Sequence, residues 1–494
     1  MLKVQKNYGY QRKAEEDMTT NHNKKSIRKE IYVTAFMFLI FFAGMIAYFV
    51  RFLVVDADSF IYNSYNSRFS VFADDVERGS IYTADGRAIA KTTKNEEGNE
   101  VRVYPDERLF SHAVGYVDHG MAGLEANYSF DLLKSHITLS DQINNSLTGQ
   151  KSMGDSLYTT LDYETQKAAY DGLGMFDGAV IAIDPDTGKI ISMVSKPDYN
   201  PNTIDKYWDD INDTEKGDSA LLNRATNGSY PPGSTFKIVT TLAYLRDGNS
   251  PSDFFYKCSG KFDVDDYTIH CSGNKSHGQE DLLTAFSNSC NSAYASMGVE
   301  IDREKFQSTA EDLLFNDTLP TLISGTKASK FAINSDTKES IVAQTAIGQG
   351  RTTVSPLHMC MLVSAIANNG QLMEPYIADR IISDDGKVVS ETEPVSYGSI
   401  ITASEANLLN QYMEAVVTDG TAEKVDFGDL KVYGKTGTAE YTENKKITHS
   451  WFVGYAKDEN GKKLAVAVIM EGAGYGSKYA APLAASVFKA YFEK

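Results

Sequence analysis

The sequence predicts a mixed α/β protein of the α+β kind, with a single N-terminal transmembrane helix, a small mixed module after it, and a larger domain whose five-stranded antiparallel sheet is flanked by helices. Three observations predict it. A charge-free apolar run occupies Ile31 to Val50. Apolar strand pairs joined by short turns occur near residue 180 and again near the C-terminus, and helical periodicity dominates the stretch between them.

The apolar run is 20 residues long, and at about 1.5 Å per residue it crosses a hydrocarbon core of roughly 30 Å. Lys24, Lys25, Arg28 and Lys29 precede it, whereas Arg51 is followed by Asp56 and Asp58. The positive-inside bias therefore puts residues 1–30 in the cytoplasm as a tail, 31–50 in the membrane and the remainder outside. A cleaved signal peptide fits less well, because the run exceeds the usual apolar region of about 7 to 15 residues and no clear small-x-small cleavage site follows.

With 494 residues, 42% of them hydrophobic, the chain has room for two or three domains and a sizeable core. Lys and Arg number 48 against 66 Asp and Glu, a formal charge of -18. That balance argues against a nucleic-acid partner and for a solvated acidic ectodomain.

Residues 51–150 read as a small mixed module, with brief apolar segments at Ser80 to Tyr82 and Ala113 to Val117. The Asn-, Ser- and Gly-rich stretch Asn144 to Asp155 reads as a linker, so the larger domain is expected over 155–494. It opens with a hairpin: Ala179 to Asp184, a turn at Pro185-Asp186-Thr187-Gly188, then Lys189 to Val194. Near its end come strands at Lys435 to Glu440, Trp451 to Ala456 and Leu464 to Met470, then a helix from about Pro482. Five strands can make one sheet. Helices are expected over Phe236 to Leu245, Leu282 to Met297, Pro356 to Asn368 and Ser404 to Val417.

Of the four cysteines, Cys360 lies in an apolar run and reads as a buried small hydrophobe. Cys258 and Cys271 flank a polar stretch, and outside the cytoplasm they could pair as a disulfide closing a hairpin. His270 and His277 lie near enough to raise a metal site, but no standard zinc spacing is met, and neither a metal nor a cofactor is expected.

Three strings carry chemistry in a fixed order: Ser234-Thr235-Phe236-Lys237, Ser289-Cys290-Asn291 and Lys435-Thr436-Gly437-Thr438. Singly they are weak, since Ser-x-x-Lys also starts at Ser26, Ser272, Ser324, Ser335 and Ser486. Pro231-Pro232-Gly233 cannot continue a helix from upstream, so Ser234 sits at a helix start. Lys237, three residues on, shares its face, and a lysine made neutral by desolvation can take the serine proton. Ser289 and Asn291 fall at a loop-to-helix transition, where a hydroxyl can pass protons and an amide can hold a substrate carbonyl. On the strand, Gly437 leaves room for an extended substrate, while Lys435, Thr436 and Thr438 can receive a carboxylate. The backbone N–H groups of Ser234 and Thr438 are the natural pair for an oxyanion hole.

This ordered triple, with Tyr230-Pro231-Pro232-Gly233-Ser234, the hairpin from Gly178 to Ser195 and its Pro197-Asp198-Tyr199-Asn200-Pro201-Asn202 tail, resembles class B penicillin-binding proteins. Arg78-Gly79-Ser80-Ile81-Tyr82, Asp85-Gly86 and Gly123-Leu124-Glu125 look like that family's pedestal, and Ile347-Gly348-Gln349-Gly350 with Ser355-Pro356 like its helical core. The short pedestal is similar to the compact penicillin-binding protein A type. The resemblance implies a penicillin-binding, serine β-lactamase-like transpeptidase fold that cross-links peptidoglycan stem peptides through an acyl-enzyme on Ser234 and is inhibited by β-lactams. It implies Lys237 as base, Ser289 with Lys435 as proton relay, Asn291 as substrate anchor, Thr436 and Thr438 as carboxylate site, and a membrane glycosyltransferase as partner.

A carboxypeptidase or β-lactamase would pass the same acyl group to water. The nearest string to a lactamase deacylation motif is Glu405-Ala406-Asn407-Leu408-Leu409-Asn410, where Asn comes one residue late, and its helix reads as structural. A β-lactam sensor or non-catalytic scaffold is the remaining alternative, but the roughly 30 residues before the apolar run are too few for a folded signalling domain.

Overall fold

The computed structural model describes residues 2–52, 76–137, 141, 145, 147–212, 220–440 and 447–493. They fall into two units, divided after Asn66. The first is a helix, α1 (Leu2–Arg51). Its Lys29–Arg51 part is long and apolar enough to cross a membrane, and none of its apolar window is buried within the protein. The helix starts well before Ile31, because Leu2 to Glu30 contains no proline and many good helix formers. Asp56, Asp58 and the start of the expected small module lie outside the described residues.

The second unit holds two larger sheets. In chain order its strands include β1 (Ile81–Tyr82), β2 (Ala88–Lys94), β3 (Glu100–Val103), β4 (Ser156–Thr159), β5 (Gly178–Ile183), β6 (Ile190–Lys196), β7 (Phe255–Cys258), β8 (Lys261–Val264), β9 (Tyr267–His270), β10 (Gly278–Asp281), β11 (Ala378–Ile382), β12 (Val388–Glu391), β13 (Lys431–Glu440), β14 (Thr448–Lys457) and β15 (Lys463–Met470). The pedestal sheet runs β12-β11-β4-β1-β2-β3. Leu157 pairs with Ile81 on one side and Ile381 on the other, so this sheet crosses the boundary expected near residue 150. Of the expected linker, Asn144 and Ser146 lie outside the described residues, while Ser152–Met153 pairs with Val76–Glu77.

A buried ion triad locks the pedestal. Glu125, fully buried, accepts from Arg78 Nε at 2.8 Å and from Arg102 Nε at 2.7 Å. Burial pushes its pKa up, but the two guanidiniums outweigh that and hold it below the usual carboxylate range. Arg78 also donates to Ser129 Oγ and the Glu125 carbonyl.

The central sheet is antiparallel in the order β13-β14-β15-β5-β6. Each strand lies near its expected place, and β5 is buried along its whole length. Alternate residues point to opposite faces. Val180, Val466 and Val468 pack with Val487 and Phe488 of the C-terminal helix Ala480–Phe492, while Ile181, Ala465 and Ala467 belong to the opposite core with Met361 and Ala365. Both faces are covered, which explains near-continuous apolar strands. The helix Pro356–Ala367 is buried at every position, as its all-round apolar sequence requires; Ser355 Oγ caps it by accepting from His358 N–H at 3.2 Å.

One expected helix is split. Leu282 to Met297 forms α2 (Leu282–Ser287) and α3 (Asn291–Glu300), separated where Ser289 adopts φ +54°. A non-glycine residue in the left-handed region cannot sit inside a right-handed helix. This break aims the Ser289-Cys290-Asn291 string into a cleft.

Candidate active site

Ser234 sits in a 3-10 turn, Gly233–Phe236, that leads into the helix Lys237–Arg246. The turn is gripped on two sides. Gly233 N–H donates to Gly348 O at 2.8 Å, and a Cβ on Gly348 would stand only 1.9 Å from Gly233 O. On the other side lies β13. A Cβ on Gly437 would lie 2.9 Å from Trp451 Cβ and 3.0 Å from Thr235 Cγ2. The space that glycine leaves is thus taken by the serine turn and the neighbouring strand. Gly437 itself lines the cavity, and its missing side chain also lets the Ser234 turn lie against the sheet.

Lys237 is fully buried. Its Nζ donates to Ser289 O at 2.7 Å and to Asn291 Oδ1 at 2.8 Å, and lies 3.2 Å from Ser289 Oγ. Burial lowers its pKa to about 8, although the nearby Cys290 and Cys271 thiols pull the other way. Lys435 is fully buried as well, with Nζ 3.3 Å from Thr436 O and 5.5 Å from the Phe286 ring centroid. Burial and the charge of Lys237 push it well below its ordinary value.

A cavity of about 890 Å³ opens over these groups, with Ser234, Ser289, Asn291, Thr436, Gly437 and Thr438 on its wall. Lys237 and Lys435 lie beneath that wall. Lys435 is expected both beside the threonines as a carboxylate receptor and in the proton relay; its side chain is fully buried. Thr436 Oγ1 is 2.5 Å from Thr421 Oγ1, and Gly476 N–H donates to Thr438 Oγ1 at 3.4 Å.

Thr421 and Tyr475 on the wall were not singled out from the sequence, while His270 was named there only as a possible metal ligand and Gln349 only within the Ile347 to Gly350 string. Asn291 Nδ2 donates to His270 O at 3.0 Å, joining α3 to the β8–β9 hairpin. Cys258, Cys271, His270 and His277 were the signals pointing to this hairpin. Cys258 and Cys271 are free thiols 3.7 Å apart, well beyond the roughly 2.05 Å of a disulfide. Glu405 is engaged elsewhere. It accepts from Arg246 Nε at 2.7 Å and from Thr402 N–H at 2.7 Å as part of a helix cap.

The profile of the penicillin binding protein transpeptidase domain matches residues 178–490, more than half of the chain. The chain belongs to the penicillin-binding protein transpeptidase family. The penicillin binding protein A dimerisation domain also matches, over residues 78–157. Among relatives, peptidoglycan D,D-transpeptidase PbpA of Mycolicibacterium smegmatis is 29% identical over 82% of this chain and 87% of its own. The PbpA of Mycobacterium tuberculosis is 27% identical over 84% and 89%.

Solved structures agree with the fold of this penicillin-binding protein. The D,D-transpeptidase domain of peptidoglycan glycosyltransferase from Eggerthella lenta superposes with a TM-score of 0.76 at 29% identity, covering 85% of this chain and 99% of that one. Penicillin-binding protein A from M. tuberculosis, as its penicillin G acyl-enzyme complex, gives 0.75 at 25% identity, covering 84% and 99%.

Proposed function

We propose that this protein is a membrane-anchored serine D,D-transpeptidase that cross-links peptidoglycan stem peptides through an ester on Ser234, and that β-lactams acylate the same oxygen. The observation that carries the residue assignment is Lys237: a buried amine with lowered basicity, three residues after a serine on the cavity wall and tied to Ser289 and Asn291.

In the proposed reaction neutral Lys237 takes the Ser234 proton while Oγ attacks the carbonyl carbon between two terminal D-alanines. The C–N bond then breaks, and the leaving amine takes a proton passed through Ser289, with Lys435 completing the relay. An amine of a neighbouring stem attacks the ester, loses its proton to the same relay, and releases Ser234. The Ser234 and Thr438 N–H groups would hold the oxyanion; contact between the serine turn and β13 supports this, since a Cβ on Gly233 would lie 2.9 Å from Thr438 O. Asn291 would hold the donor backbone, and the Thr436 and Thr438 hydroxyls its terminal carboxylate.

The Lys29–Arg51 helix supplies the anchor, and the basic residues before it support a cytoplasmic N-terminus and an extracytoplasmic catalytic domain. A membrane glycosyltransferase that makes the glycan strands is the proposed partner. The full chain in detergent should release D-alanine from a pentapeptide stem and form a dimer only when an amine acceptor is present. Release without any acceptor transfer would replace this reading with a carboxypeptidase.

A further inference from the structure

One wall of the cleft carries a second group of reactive side chains that acyl transfer does not use. Cys258 ends β7, Cys271 follows β9, His277 precedes β10, and Cys290 caps α3. Cys258 Sγ lies 3.7 Å from Cys271 Sγ and 3.4 Å from His277 Nδ1, and Cys271 Sγ lies 3.8 Å from Cys290 Sγ. All four ligand atoms fall within 4.8 Å of one another.

A tetrahedral ion with metal–sulfur bonds of about 2.3 Å and a metal–nitrogen bond of about 2.0–2.1 Å needs sulfur–sulfur edges of about 3.8 Å and sulfur–nitrogen edges of about 3.5 Å. Three of the six edges already have these lengths, and the other three are no longer than 4.8 Å. We infer that Cys258, Cys271, His277 and Cys290 form a Cys3His site for Zn2+, which ties the turn bearing Ser289 and Asn291 to the two hairpins beside it.

The surroundings suit three thiolates. Gly260 N–H donates toward Cys258 Sγ at 3.4 Å, and Ser292 Oγ lies 3.1, 3.2 and 3.4 Å from the sulfurs of Cys258, Cys271 and Cys290. Cys290 stands at the N-terminus of the ten-residue helix α3, whose positive end stabilises a thiolate. Soft sulfur with one imidazole selects zinc over hard cations, and four protein ligands mark a structural rather than a hydrolytic ion. Binding releases the three thiol protons to solvent and leaves the centre with one net negative charge. The three cysteines are buried while His277 is half-buried, and Cys271 and His277 both reach the cavity, which gives the ion a way in.

The spacing Cys-x12-Cys-x5-His-x12-Cys matches no standard zinc string because the ligands come from the ends of four separate elements. Cys290 supplied the missing ligand, hidden inside a string read only for its serine and asparagine.

The full chain, purified in detergent under reducing conditions with zinc and then dialysed, should hold about one zinc per chain, and Cys258→Ser or His277→Ala should lose most of it. The wild type is also stripped with a chelator and reloaded with Co2+, so that the test survives a variant that fails to fold. Thiolate-to-cobalt charge-transfer and tetrahedral ligand-field bands are then expected. Folded wild type that retains no zinc and shows no such bands, or a Cys258–Cys271 disulfide in the protein as isolated, would overturn the site. Both readouts omit penicillin, so the zinc site can fail without the transpeptidase reading failing.

Discussion

Lys237 Nζ donates to Asn291 Oδ1 at 2.8 Å, while Asn291 Nδ2 donates to His270 O at 3.0 Å. One amide thus connects the buried Lys237 amine to the hairpin that carries His270. This side chain joins the first two of the three strings, and its removal should be felt at Lys237 and at the His270 hairpin together.

The first prediction concerns pH. Burial lowers Lys237 to about 8, and only the neutral amine can accept a proton, so acylation by penicillin should rise with pH and level off above about 8. Asn291→Ala removes an acceptor that favours the ammonium, so its midpoint should move to lower pH while the plateau rate falls. Stopped-flow acylation between pH 6 and 10 measures both. The same shift affects stability: the unfolded chain binds this proton up to its ordinary value of 10.5, so the lysine's contribution to stability rises with pH between about 8 and 10.5.

Replacing Lys237 with Arg keeps a cation but removes the base, because a guanidinium does not deprotonate. Acylation should fall by about 10²–10⁴, with Ser234 still present and the protein folded by circular dichroism.

Gly437→Ala should act through the serine turn. A Cβ would meet Trp451 Cβ at 2.9 Å and Thr235 Cγ2 at 3.0 Å, so stability should fall by about 1–3 kcal/mol and acylation should slow. Unchanged thermal denaturation and unchanged acylation would show that the strand and turn are not packed as described.

In the pedestal, Glu125→Ala leaves Arg78 and Arg102 buried without their carboxylate. Removing one partner of such a group costs about 3–5 kcal/mol, which denaturant titration would detect, and Glu125→Gln should cost less. The penicillin acylation rate of the folded fraction should change little, since the triad is formed by pedestal residues.

Much of the fold was legible in the sequence because its signals are local. The turn Pro185-Asp186-Thr187-Gly188 announced the β5–β6 hairpin, and the charge-free run announced a helix long and apolar enough to cross a membrane. What escaped depends on distant partners. Residues Ala378–Ile382 join the pedestal sheet through Leu157, and nothing within either segment names the other. Ser289 interrupts a stretch of good helical periodicity because tertiary packing fixes its φ at +54°. What Gly437 packs against escaped for the same reason, since only the fold reveals that Thr235 and Trp451 fill the space beside it.

The central claim is that Ser234 forms the acyl bond, and the most direct measurement is the intact mass of the full chain in detergent after incubation with penicillin G. One penicillin should add per chain, the adduct should be lost slowly, and Ser234→Ala should abolish it. A persistent adduct in Ser234→Ala, or none in the folded wild type, would contradict the assignment; rapid turnover with no lasting adduct would contradict the transpeptidase reading in favour of hydrolysis.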